Sequence, residues 1–436
     1  MKAMDRRPHV QGEAAGIEIE TTGEVLTDAA GLAVLRSVWD RLGIGEYLDR
    51  ELSDIGGWYR PSLQMEQWTT LLAYGGGCMD HLPLLESRGV RVLMGWERVV
   101  DPTSCGRFLR RAGLKGSKVS DRLVRKVVVA RWKAGKGVPE AVQLLLDSTV
   151  SVRYGVKQAG AEVGYNPKKN GRTSHHPLLA FLDTGDCLGV RWRPGKAHTA
   201  DGAEEWIEEL VKWLREQGVK RIRVRLDKGF FRITMLDKLR ELGVDFVVKM
   251  TELKTLQGFK GAFVKDEKEP GVEVSRAERW GVRMLGLRWV MTGGKEELPL
   301  GTVVVRHQET ILTNLDVDPV TAWEMYNEGA LVEQRIEEIS QLGVGRTAVN
   351  DIGGNDLLWS LGVLAYELLH YVRTVAIRTK EQVKTIRTLV IRTPGKLVSH
   401  ARRLRLKLTQ HDSMTQRLLD ALERLRASVA VQVTAM

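Results

Sequence analysis

From Ala141 to Met250 the chain alternates short β-branched apolar runs with amphipathic ones, and this alternation constrains the fold more than any other feature of the sequence. "AVQLLLDSTV", "HHPLLAFLD", "KRIRVRLDKGFF" and "VDFVVKM" read as strands, with the helical runs "GAEEWIEELVKWLREQG" and "ITMLDKLRELG" set among them. Strand, helix, strand, helix, strand describes an α/β layer. Two of these strands end on an aspartate, Asp147 and Asp227. A carboxylate at the end of a buried run is costly unless something pairs with it. A bound metal ion and a hydrogen-bonded turn are both compatible with the residue type.

Around this layer the chain divides by pattern. Residues 1–18 read as a flexible tail and 19–135 as a helical region. There "DPTSCGRFLRRAGL" is expected to form a short basic helix carrying Arg107, Arg110 and Arg111, either a groove-reading element or a solvated face. Residues 136–250 hold the first part of the α/β core, and 251–315 read as a mostly β insertion. Helices return over 316–378, and 379–436 form a basic segment in which "KLVSHARRLRLKLTQ" reads as one strand before a charged helix. Trp206 and Trp213, at helical spacing, are expected in the core.

Charge adds a partner. The net charge is +11, and Arg373–Arg426 holds fourteen Lys or Arg against four Asp or Glu, so nearly the whole surplus lies in the last eighth of the chain. Clustered positive charge attracts polyanions, above all nucleic acid. Cys78, Cys105 and Cys187 are too few and too scattered for a disulfide framework or a thiolate metal site. No apolar run has the length of a membrane span or the character of a secretory signal, so a cytoplasmic setting is expected.

A third acid, Glu333, lies on the predicted helix "LVEQRIEEI". Two strand-borne aspartates and a helix-borne glutamate are all oxygen donors and suit Mg²⁺ or Mn²⁺. Spacing alone selects them weakly from 55 acidic residues.

"LDSTVSVRYGVKQAGAEVGYNPKKNGRTSHHPLLAFLDTGD", "RVRLDKGFF" and "ILTNLD…AWEMYNEGALVEQRIEEI" together carry a resemblance. The chain resembles the DDE transposases of bacterial insertion sequences, and within them the thirteen-eighty group, from about Gly23 to its C-terminus. The resemblance implies an RNase H-like catalytic core with a mostly β insertion, preceded by an N-terminal helical DNA-binding region over 19–135. It makes Asp147, Asp227 and Glu333 the metal-binding catalytic triad, with Mg²⁺ as the expected ion and Mn²⁺ as a substitute. It further implies cleavage of double-stranded DNA at the element's ends, transfer of the freed 3′-hydroxyl to target DNA, and a homodimer holding both ends. Related enzymes write the third region as Y-x2-R-x3-E-x6-K. Tyr326 and Glu333 keep that register, and Tyr326 is counted among the residues that would contact DNA, whereas Gly329 and Ser340 stand where the arginine and lysine would be. Lys228 and Arg335 are candidates to supply the lost phosphate contacts.

Lys168, Lys169 and Arg172 are expected to hold DNA backbone, as are Arg402 and Arg403 in the basic tail. Trp289 could stack on an extruded base or serve the core, and Trp323 likewise. His175 and His176, adjacent in a strand, should point to opposite faces. A transposase-derived DNA binder without catalysis, and a nuclease of the same fold, remain as alternatives.

Overall fold

A computed structural model describes residues 10–14, 17–154, 158–166, 169–250, 263–292, 303–328, 331–344, 348–401, 403–429 and 431–435. Strands β1 (Val10–Ala14) and β2 (Ile17–Glu20) pair antiparallel within and just beyond the stretch expected to be a tail. After β3 (Val25–Thr27) come five helices: α1 (Leu32–Arg41), α2 (Ile44–Glu51), α3 (Pro61–Tyr74), α4 (Arg88–Met94) and α5 (Pro102–Ala134). The short basic helix expected near Pro102 is the first part of the 33-residue α5, whose Asp101 N-cap accepts a hydrogen bond from the Ser104 amide. A break at Gly113 (φ 40°) redirects the helix beside Gly353, where a Cβ on Gly353 would meet the Leu114 backbone at 2.9 Å. Periodicity continues through that break, which is why a single long element is hard to read from the pattern.

The α/β layer follows: β4 (Ala141–Ser148), β5 (Ser151–Val152), β6 (Glu162–Val163), β7 (Thr173–His175), β8 (Leu178–Leu182), β9 (Cys187–Arg191), α6 (Ala203–Glu216), β10 (Arg221–Leu226), α7 (Ile233–Glu241) and β11 (Asp245–Met250). Next are β12 (Val264–Lys265), β13 (Val272–Arg279), β14 (Val282–Thr292), β15 (Val303–Thr313), α8 (Pro319–Asn327), α9 (Leu331–Ile339) and α10 (Ile352–Tyr371). The chain ends with α11 (Val383–Ile386), β16 (Gly395–His400), β17 (Arg403–Lys407) and α12 (Ser413–Ala427).

Nine strands make one sheet in the order β12-β13-β14-β15-β11-β10-β4-β8-β9. The segment expected as an insertion extends this sheet, because β15 pairs antiparallel with β11, Val247 opposite Thr313. The expected single strand "KLVSHARRLRLKLTQ" is instead the hairpin β16–β17, turning where Ala401 takes φ 50°. Strand alternation does not register such a turn, since no Gly, Asn or Pro marks it.

Both faces of the sheet are covered. Val142, Leu144 and Leu146 of β4 pack with β10 and with α6 and α7, including the nearly buried Trp206. Leu145 of β4 and Leu179 and Phe181 of β8 face the other way, into the cluster that contains α10. Every residue of α10 from Gly353 to Tyr371 is buried. No helix among the described residues is long and apolar enough to cross a membrane.

One buried carboxylate locks α5, α10 and β9 together. Asp356 accepts from the Ser117 hydroxyl at 2.6 Å and from the Trp192 amide at 2.7 Å. Asp356→Ala leaves the Trp192 amide without its acceptor and the Ser117 hydroxyl with only Ser360, and we expect a loss of about 2–4 kcal/mol in unfolding free energy by denaturant titration.

Candidate active site

Register brings the two strand-end aspartates together. β4 and β10 run parallel with Leu146 opposite Leu226. Asp147 and Asp227, the next residue on each chain, therefore stand at one height on strands about 4.8 Å apart. Because Leu146 and Leu226 belong to the α6–α7 layer, alternation directs both aspartates to the opposite face. Glu333 joins them from the first turn of α9.

All three carboxylates line one cavity of about 750 Å³, together with Tyr165, His176, Lys196, His198, Thr199 and Lys228. Asp147 is half-buried and its Oδ1 accepts from the Ser148 amide at 2.7 Å. Burial pushes its carboxyl up to about 6; the Ser148 amide opposes this, Asp227 and Glu333 push it further up, and Arg225 pulls it down. Asp227 is exposed, and its Oδ1 accepts from the Tyr326 hydroxyl at 3.1 Å. The donor set is all oxygen, as a hard divalent cation requires. The repulsion felt at Asp147 is what a dication among the three would relieve. The residues present thus fit Mg²⁺ or Mn²⁺.

A second grouping, Asp186, Glu367 and His370, has one ligand-type atom from each within 4.8 Å and is fully buried. Its positive charge is already in place. Arg131 Nη2 lies 2.5 Å from both Asp186 oxygens and Nε 2.9 Å from Oδ1, while Trp132 Nε1 and the Thr184 hydroxyl donate to Oδ2. Those bonds use the Asp186 lone pairs a metal would need, while Glu367 Oε2 and His370 Nδ1 have no hydrogen-bond partner among the described residues. Burial also holds Glu367 well above the usual carboxylate range and His370 well below the usual imidazole value. This is a polar lock inside the core. Another cavity of about 770 Å³ lies among α1–α4, where Arg36 already pairs with Asp40 and Glu66.

The residues expected to touch DNA divide by position. Lys228 lines the cavity. Arg335, two residues past Glu333 on the helix, pairs with Glu338 at 2.8 Å and is not among the residues lining the cavity. Tyr326 is only 7 % exposed, and its hydroxyl donates to Asp227. Lys169 and Arg172 are exposed beside Tyr154, which is 71 % exposed, with their charges 4.9 and 5.8 Å from its ring centroid. Arg107, Arg110 and Arg111 are exposed along α5, and Arg403 on β17. Lys168, Arg402 and Gly329 lie outside the described residues. Trp289 is half-buried, its ring 5.3 Å from Trp323 and 5.4 Å from His307, outside the cavity lining.

The adjacent histidines do diverge. His175 stacks on Trp192 at 4.5 Å, whereas His176 lines the cavity. The His176 Nδ1 lies 2.8 Å from the Ala197 carbonyl, which can only accept, so Nδ1 carries the proton. Sequence reasoning missed Lys196, His198 and Thr199, because "GKAHTAD" reads as a connection between elements. Two basic residues in a short link after a strand of the α/β layer were the available signal.

Comparison with known proteins adds the family. The family model described as transposase DDE domain group 1 matches residues 10–430. No curated protein matches the chain. Among solved structures, the piggyBac transposase synaptic complex with hairpin DNA is similar at 12% identity and a TM-score of 0.42, over 84% of this chain and 81% of that one. That likeness is too distant to carry an argument. The family match, spanning nearly every residue that holds the sheet and its carboxylates, is sufficient by itself: the chain belongs to the DDE-domain transposases of group 1.

Proposed function

We propose that this protein is a metal-dependent DNA transposase of the insertion-sequence type, cutting at the ends of a mobile element and joining the 3′-hydroxyl to target DNA. The observation that carries the reading is the convergence of Asp147, Asp227 and Glu333, from three separate elements, on one cavity. The strand order β9-β8-β4-β10-β11, antiparallel on one side of β4 and parallel on the other, supports an RNase H-like core.

Asp147, Asp227 and Glu333 would hold the divalent cations. When bound, such ions activate an attacking oxygen and stabilise the leaving one in phosphoryl transfer. The chain's own cations serve the substrate: Lys196 and Lys228 border the cavity and would draw the scissile strand's phosphates toward the carboxylates. His176, with its proton committed to the Ala197 carbonyl and burial lowering its pKa, remains a neutral polar wall and adds no positive charge. Lys169, Arg172, Arg403 and the exposed arginines of α5 offer backbone contacts farther out. Transposition requires two ends cut together, so a homodimer on DNA is part of the proposal.

A binder without catalysis is favoured by one observation, the pairing of Arg335 with Glu338 beside a box that already carries Gly329 and Ser340. The two readings part on cleavage. Full-length protein is incubated with a DNA fragment bearing the repeats that flank its gene, with Mg²⁺ or Mn²⁺. Asp147→Asn, Asp227→Asn and Glu333→Gln should each reduce cleavage at the repeat boundary by on the order of 10⁴-fold while retaining DNA binding. Binding without cleavage by the wild-type protein in either ion would favour the lapsed binder.

Lys228→Ala tests the phosphate contact separately. End-DNA affinity should fall across sequences alike, and the slope of log affinity against log salt should shrink by about one. An unchanged slope would remove Lys228 from the interface.

A further inference from the structure

Asp227 lies past the last residue of β10 and is exposed, a setting in which a short carboxylate would normally sample several rotamers. The Tyr326 hydroxyl meets its Oδ1 at 3.1 Å. Tyr326 itself has little freedom. It is only 7 % exposed and packs with Val247, Leu285, Ile311 and Ala322. Two cations flank it, with Arg225 Cζ 4.3 Å and Lys249 Nζ 5.3 Å from the ring centroid. Such contacts are attractive and directional. Lys249 is fixed in turn by Glu309 of β15 at 2.5 Å, and Glu309 also meets His307 Nε2 at 2.8 Å. Arg225 shares a strand face with Asp227, two residues apart.

We propose that Tyr326 is a positioning residue: its hydroxyl sets the Asp227 carboxylate for cation binding and ties the end of β10 to the segment that carries Glu333. The inference rests on the reading of Asp227 as a cation ligand. The hydroxyl donates one proton to Oδ1 and leaves Oδ2 unengaged by that bond. A tyrosine hydroxyl is protonated throughout the neutral range and so is available as a donor. Tyr326 lies in the last turn of α8, seven residues before Glu333 on α9. One hydrogen bond therefore connects the second carboxylate to the chain segment bearing the third. Partners that orient a ligand in this way typically govern metal affinity by about 10–100-fold. The same network reaches β15, so the extension of the sheet beyond β11 serves as a buttress for the site.

The test is Mn²⁺ binding to the full chain without DNA, followed by electron paramagnetic resonance, for wild type, Tyr326→Phe and Asp227→Asn. Phenylalanine keeps the buried ring and both flanking cations but removes the donor. Tyr326→Phe should weaken Mn²⁺ binding by about tenfold, with cleavage of end DNA recovering at raised Mn²⁺ and a melting temperature without cation close to wild type. Wild-type Mn²⁺ affinity and cation dependence in Tyr326→Phe, with binding lost in Asp227→Asn, would overturn the positioning role alone. Unaltered binding in Asp227→Asn would instead overturn the ligand reading, and the inference with it.

Discussion

The parallel pairing of β4 with β10 is the constraint on which the rest depends. With Leu146 opposite Leu226, the next residue of each strand is an aspartate, and the two are held side by side whatever the surrounding loops do. A slip of one residue would send one of the pair into the apolar layer under α6 and α7. The apolar alternation that fixes the register is therefore also what builds the acidic site. Like charges placed this closely repel, and the Asp147 carboxyl, raised to about 6 by burial and then by Asp227 and Glu333, carries the mark of that repulsion. A folded chain retains such a conflict where a cation resolves it.

The two carboxylate clusters of this protein illustrate how burial separates structure from chemistry. Asp186, Glu367 and His370 lie closer together and deeper, yet Arg131 saturates Asp186 and the protein neutralises the remainder. Asp147, Asp227 and Glu333 are looser and open to a cavity bordered by Lys196, His198 and Lys228. Accessible, partly satisfied oxygens facing space for a polyanion are the arrangement that phosphoryl transfer needs.

Much of this was legible in the sequence because it is local. Period-two runs ending on Asp147 and Asp227, the amphipathic α6 and the apolar α10 all announce themselves by spacing. What escaped is set by tertiary contact. The long strands β13–β15 read correctly as β structure, but their continuity with β11 depends on pairing between residues some sixty apart in the chain, such as Val247 and Thr313. Arg335 reads as a free cation until Glu338, one turn along and buried, is seen to hold it. Tyr326 reads as a DNA contact because residue type reveals nothing of the layer formed by Val247, Leu285 and Ile311 that buries it. Lys196 and His198 enter the site only because the β9–α6 connection folds back beside β4 and β10.

Crystals of the full chain grown or soaked in Mn²⁺ and measured for anomalous scattering would test the central claim most directly. The expected result is an anomalous peak bounded by the carboxylates of Asp147 and Asp227, within reach of Glu333. A peak at Asp186, Glu367 and His370, with none between the strand-end aspartates, would contradict it.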